Sequence, residues 1–188
     1  MELQQASEYA RKIMNCSWVK WVHPGSSPAN TNEERKILAL GVGSHCGRCL
    51  NLNGGCFVVG KCPELPLHPN CHCYTVDVPS IAVSVECPII KFTNYLFDPQ
   101  KSNGKTTLFE DWGYTINDSE YLQQELERQA TIAYQCGEYK IGELNQYGQR
   151  INIRIILTTP NGQVVSFMSG WMVYPDGRLV NATPYGDN

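Results

Sequence analysis

Residues 117–137 read NDSEYLQQELERQATIAYQCG, and this stretch decides the fold class. Leu122, Leu126, Ala130 and Ala133 recur at helical spacing as one apolar stripe, so a long helix packed by a single face is expected. Asn117 and Glu120 have capping-box spacing at its start, and Gly137 supplies the stop. Downstream the period changes to two. Ile151, Ile153 and Ile155 alternate with polar residues, and Pro160-Asn161-Gly162 and Pro175-Asp176-Gly177 are turn signals. Strands are expected near 138–145, 150–158, 163–174 and 178–184. Upstream, residues 106–112 predict a short helix with Leu108, Phe109 and Trp112 on its apolar side, ending at Gly113. Two helices followed by a four-stranded antiparallel sheet make an α+β domain whose helices cover one face of the sheet.

The front half reads differently. Leu3, Ala6, Tyr9, Ala10 and Ile13 place one face on a first helix, and residues 18–22 are aromatic and β-branched enough for a short strand. After a Pro/Gly/Ser-rich loop over 24–30, Thr31 and Glu34 have capping-box spacing for a second helix that Gly41 can end. The cysteine-rich segment that follows has little periodicity, so its backbone is expected to be organised by something other than helix or sheet. Residues 76–90, with Pro79 and Pro88, predict an extended connector or edge strand. The expected division is a small, zinc-stabilised, loop-rich module over 1–80 and the α+β domain over 81–188.

Composition bounds the function. With 42% apolar and 18% charged residues, a folded state is expected. No run approaches the roughly 18 apolar residues needed to span a bilayer, and the first residues lack the apolar core of a secretory signal, so folding in the cytoplasm without a membrane partner is expected. A net charge of -3 gives no sign of a broad basic surface but leaves local contact with RNA open.

Six of the nine cysteines fall between Cys46 and Cys73, a crowding that suits metal better than a disulfide framework. Cys46-Gly-Arg-Cys49 is a CxxC knuckle whose two sulfurs can converge on one ion. His68-Pro-Asn-Cys71-His-Cys73 brings three more potential ligands after a loop of zinc-finger length. Five candidates, Cys46, Cys49, His68, Cys71 and Cys73, compete for four tetrahedral corners, and the sequence leaves the choice open. Cys56 and Cys62 are either a second pair of ligands, a disulfide, or plain thiols. His45 and His72 are expected to point away from the ion, since neighbours in extended chain face opposite sides. The His-x-Glu and Pro-Cys-x-x-Cys signature of zinc deaminases is absent, so a structural zinc ion is expected rather than a catalytic one.

Cys46-x-x-Cys49, Asn51-Leu-Asn-Gly54 and Pro66-Leu-His-Pro-Asn-Cys-His-Cys73 together resemble the end of phage Mu F-like minor head proteins, over residues 15–80. Residues 91–188 resemble a domain at the C-termini of bacterial polymorphic toxins, through Lys91-Phe-Thr-Asn-Tyr-Leu-Phe-Asp-Pro99, Gly104-Lys105, Phe109, Gly113-Tyr114 and the stretch from Leu179 to Pro184. The helix–helix–four-strand order resembles the fold of the barnase, EndoU, colicin and RelE-like toxin ribonucleases. What the resemblance implies is a phage-associated toxin fragment, virion-associated or delivered to a target cell, with RNA as substrate and a cognate immunity protein as partner. The alternative is a non-enzymatic head-assembly accessory or adaptor that contacts phage head components.

Such a nuclease needs a base, a cation for the phosphate and an acid. No histidine follows His72, so the candidates are Lys105 at a helix start, Arg154 in an alternating strand, and Thr183 and Tyr185 in the last strand. Each also has an ordinary reading as a solvated cation or a strand residue. Trp171 and Tyr174 are either base-stacking aromatics or packing residues.

Overall fold

The computed structural model describes residues 17–22, 47–69, 71–78, 84–102, 104–145, 147–174 and 176–186. Both helices expected before residue 46, together with His45 and Cys46, lie outside them.

The long helix is the centre of the α+β unit. The Leu122, Leu126, Ala130 and Ala133 stripe is buried, as its spacing requires, on α3 (Ser119–Gln135). Its capping box lies two residues upstream of the expected pair. A 3₁₀ turn over Ile116–Asp118 precedes α3, and Thr115 accepts from the Asn117 N–H while its own N–H donates to Asp118. The spacing was right and the register was not, because the turn postpones the α-helix. At the other end Gly137 takes φ 69°, and the Glu138 N–H donates to the Ala133 carbonyl at 2.7 Å, closing the last turn. The shorter α2 (Lys105–Asp111) buries Phe109 and ends before Gly113, also in the left-handed region at φ 89°.

The sheet beneath them has five strands rather than the expected four. β5 (Tyr139–Asn145), β6 (Gly148–Thr158), β7 (Val164–Val173) and β8 (Arg178–Gly186) form the antiparallel meander. A fifth, β4 (Ser84–Glu86), adds to β8 in parallel, giving the order β4-β8-β7-β6-β5. Three residues carry no readable period, and a parallel partner comes from far along the chain, so local pattern could not reveal it. Ile151, Ile153, Ile155 and Leu157 of β6 point to one face, where they meet Phe167, Trp171 and the α3 stripe in the core.

β6 outruns its partner: β5 reaches only Ile153, so the far end of β6 has a free edge on that side. Gln129 of α3 covers it, accepting from the Ile156 N–H at 2.9 Å and donating to the Ile156 carbonyl at 2.6 Å as a neighbouring strand would. Gln129→Ala is expected to cost about 0.5–1.5 kcal/mol and to speed hydrogen exchange at the Ile156 amide, while amides near Ile151 keep their protection. Unchanged exchange at Ile156 would show that the clamp is idle.

The front unit keeps the expected strand over residues 18–22 but corrects the expectation of a loop-rich module. β1 (Trp18–Val22), β2 (Cys56–Val58) and β3 (Tyr74–Val78) form a three-stranded antiparallel sheet with β1 central, and α1 (Gly47–Leu52) carries the second cysteine of the CxxC pair. Trp18, Trp21, Leu52 and Phe57 are buried and belong to the same continuous core as the large sheet. Strands as short as these cannot show a period; pairing with β1 from outside the segment creates them.

The two sheets meet around three aromatic residues. Tyr134 of α3 donates its hydroxyl to the Cys56 carbonyl, and its ring lies 5.3 Å from both Trp18 and Tyr139. The Tyr139 hydroxyl accepts from the Val58 N–H and donates to the Lys61 carbonyl, each at 3.2 Å. Asn51 of α1 donates to the Asn145 carbonyl at 3.0 Å. No helix among the described residues is long and apolar enough to cross a membrane.

Candidate metal centre

α1 and its exit turn fix the first ligand. Leu50 and Leu52 are buried, and the Asn53-Gly54 turn is tied to β1 by the Gly54 N–H donating to the Trp21 carbonyl and the Trp21 N–H donating to Gly55, both at 2.9 Å. Gly54, at φ 90°, is where a left-handed residue is needed for that turn. Cys49 is thereby held in the first turn of α1 at 1% exposure.

The second half-site is a tight loop leading into β3, in which the Cys71 N–H donates to the His68 carbonyl at 3.2 Å. It brings His68 Nε2 to 3.0 Å and the Cys71 sulfur to 3.7 Å from the Cys49 sulfur. All three donor atoms lie within 4.8 Å of one another. Two thiolates about 2.3 Å from one ion at a tetrahedral angle stand about 3.8 Å apart, so the sulfur pair has the separation a shared metal requires. The histidine is oriented for the same task. Its Nδ1 faces the Pro69 carbonyl at 2.7 Å, and since a carbonyl only accepts, the proton sits on Nδ1 and the lone pair on Nε2 faces Cys49.

The thiol electrostatics agree. Burial pushes Cys71 up, but backbone hydrogen bonds at Cys73 and Leu67 and the neighbouring Cys49 and Cys73 side chains outweigh it, bringing Cys71 down to about 7. Cys73 goes the other way, raised by burial and by the charge of Cys71, against hydrogen bonding from Cys49. That mutual influence places Cys73 beside the cluster, immediately before β3. His72 between them is exposed, as alternation in extended chain requires.

Of the five expected ligands the structure thus gathers Cys49, His68 and Cys71, with Cys73 adjacent; Cys46 lies outside the described residues. The chemistry of the set, soft sulfurs with one imidazole, fits a zinc-type ion. Among the described residues, Cys56 and Cys62 do not join the cluster. Cys56 and Cys62 are free, and burial alone pushes Cys62 up to about 12.

The four residues expected to serve RNA cleavage are not gathered into one place. Lys105 and Tyr185 meet, with Lys105 Nζ donating to the Tyr185 carbonyl at 3.0 Å and lying 5.7 Å from its ring and 5.8 Å from that of Tyr95. Tyr185 packs on Phe109 and Phe167, on the covered side of the sheet. Arg154 is on the opposite face, where it donates to Ser166 at 3.2 Å. Thr183 stands opposite Gly170 across a bulge, and its carbonyl accepts from Ser169 at 3.1 Å. Trp171 is fully buried in the core, and Tyr174 carries the Arg178 guanidinium over its ring at 5.2 Å.

Sequence reading missed Lys61 and Lys140. Both line a concavity with Arg154, and neither sits in a motif; only the docking of the two sheets brings them together.

The fold and site define a class: an α+β domain with a five-stranded sheet, joined through a shared core to a small sheet that bears a cysteine–histidine cluster able to hold a metal ion. The chain belongs to the family described as Domain of unknown function (DUF6883), whose model matches residues 80–185. The match covers the five-stranded sheet and its helices and leaves the cysteine–histidine cluster outside it. No curated protein and no solved structure matches the chain.

Proposed function

We propose that the chain is a zinc-stapled interaction module, in which a structural Zn²⁺ bound by Cys49, His68 and Cys71, with Cys73 or Cys46 as fourth ligand, holds the small sheet so that the large sheet can act as a binding surface. The observation that carries this reading is the contrast between the two candidate sites: the metal ligands converge, whereas Lys105 and Tyr185 stand on one side of the sheet and Arg154 on the other. Chemistry on a phosphodiester needs its groups within hydrogen-bond reach of one substrate. The ion is structural in this reading because the donors that converge are sulfur and imidazole, with no carboxylate among them. The resemblance of residues 15–80 to Mu F-like minor head proteins supports a phage-derived adaptor that contacts head components.

A second reading, a toxin fragment with ribonuclease activity restrained by an immunity protein, is favoured by the meeting of Lys105 with Tyr185 and Tyr95 and by the toxin-like pattern of residues 91–188.

Purified full-length protein is expected to contain about one zinc per chain, to leave RNA intact in EDTA, and to be tolerated on expression. RNA cleavage lost on Lys105→Ala, with arrested growth, would replace the adaptor with the toxin. Reduced protein without metal would remove the staple from both.

A further inference from the structure

The open face of the large sheet holds a concentration of positive charge that neither the metal centre nor the docking of the two sheets uses. Lys140 of β5 stands opposite Asn152 of β6, Arg154 follows two residues along, and Met168 of β7 stands opposite Arg154. Register therefore puts all four on one face, away from the core isoleucines. Lys61 joins them from the turn after β2. Its carbonyl is held by the Tyr139 hydroxyl, and its stem lies over Gly137, where an added Cβ would come within 3.5 Å of it. Lys61, Lys140, Arg154, Asn152, Met168 and the single carboxylate Glu138 are among the residues lining one concavity of about 210 Å³.

Three cations from three elements thus face one carboxylate, in a chain whose net charge is -3. None of the three is in a salt bridge with an acidic side chain among the described residues, and Arg154 spends one N–H on a neutral hydroxyl. Three other described cations do have acidic partners: Arg128 pairs with Glu125, Arg178 with Asp176, and Lys101 with Asp98. Three like charges facing a single carboxylate repel one another, and an anion in their midst relieves that cost.

The concavity continues into a larger groove of about 650 Å³ between α3 and the free edge of β6, which shares Glu138 and Arg154 with it. Tyr121, half exposed, lines that groove, as do Ile156 and the Arg128–Glu125 ion pair. The cationic end is large enough for one tetrahedral oxyanion, and the groove beyond offers a ring face and apolar surface for an attached planar group. We propose that this cleft binds a phosphate carried by a nucleotide, with Lys61, Lys140 and Arg154 on the phosphate and the Tyr121 groove holding the nucleoside. The ligand reaches the cleft either as a unit of single-stranded nucleic acid or as a free mononucleotide; the phosphate chemistry is shared.

The inference rests on the reading of the large sheet as a binding surface and names what it binds. Its test is independent of the metal, whose presence is settled by metal analysis of the same sample. The full chain is titrated calorimetrically at low salt with AMP, adenosine, inorganic phosphate and an eight-nucleotide single-stranded RNA. AMP is expected to bind, adenosine to bind at least about tenfold more weakly, and inorganic phosphate to compete with AMP, since adenosine lacks the charge-assisted hydrogen bonds to the phosphate. Lys140→Glu and Arg154→Glu, both at exposed positions, are each expected to weaken AMP at least about tenfold. Lys101→Glu, the same charge change on a lysine outside the cleft, should leave it within about twofold. RNA binding tighter than AMP, with affinity that falls as salt rises, identifies the polymer; equal affinities identify the mononucleotide. The proposal fails if AMP and the oligonucleotide both leave no heat at millimolar concentration, if adenosine binds as well as AMP, or if Lys101→Glu weakens binding as much as the cleft variants do.

Discussion

Cys49→Ser is expected to empty the metal centre and to lower the stability of the full chain by more than about 4 kcal/mol, the range typical of losing a structural metal. For a chain of this size that corresponds to a fall of roughly 8–16 °C in melting temperature. The size of the effect follows from the position of Cys49, buried at 1% exposure and within bonding reach of both His68 and Cys71. Serine removes the sulfur that both other donors face and leaves a hydroxyl that binds zinc poorly. Cys62→Ser is the matched control, because its thiol lies on the same connecting segment and outside the donor cluster. Metal analysis with thermal melts, with and without chelator, reads both variants. Full metal content and an unchanged melt in Cys49→Ser would eliminate the centre.

The same site carries a pH dependence whose sign is fixed. Cys71 is lowered to about 7, so in the folded protein it is thiolate above that value and thiol below it. Metal requires the thiolate. Zinc uptake by stripped protein is therefore expected to weaken as pH falls through about 7 and to be strongest at higher pH. Uptake that is flat between pH 6 and 8 would contradict this.

The second large effect is expected at the junction of the two sheets. Tyr134→Ala should destabilise the chain by about 3–5 kcal/mol, the usual cost of deleting a buried aromatic side chain. Tyr134 is 2% exposed, packs on Trp18 and Tyr139, and donates its hydroxyl to the Cys56 carbonyl. Tyr134→Phe keeps the ring and removes only the donor, so about 1–3 kcal/mol is expected, mostly from the carbonyl left buried without it. Denaturant melts give both values. Hydrogen exchange adds the location: in Tyr134→Ala the amides of β1 and β2 should lose protection before those of β6 and β7. Uniform loss throughout the chain would mean that the small sheet has no separate opening and that the two units unfold as one.

Residues with strong local instructions were legible. The α3 stripe, the alternation of Ile151, Ile153 and Ile155, and the Gly162 and Gly177 turns each encode a period or a backbone region, and the structure places them as read. The His68-x-x-Cys71 spacing likewise encodes proximity, because a short spacer limits how far two donors can separate. β4, by contrast, is three residues long and pairs in parallel across most of the domain, and β2 exists as a strand through its pairing with Trp18, Val19 and Lys20. The capping box moved from Asn117–Glu120 to Thr115–Asp118 because two overlapping candidates have the same spacing, and only the 3₁₀ turn selects between them.

Residue type and short-range spacing were enough to specify an α+β chain with one long packed helix, a sheet, and a cysteine–histidine cluster suited to a metal ion. Tertiary structure alone decided that the two units share a core, that Lys105 and Arg154 stand on opposite sides of the sheet, and that Lys61, Lys140 and Arg154 face one cleft. Those relations join residues far apart in the chain. They are set by strand register and by the packing of Tyr134 and Tyr139 against the small sheet, and no local spacing carries that information.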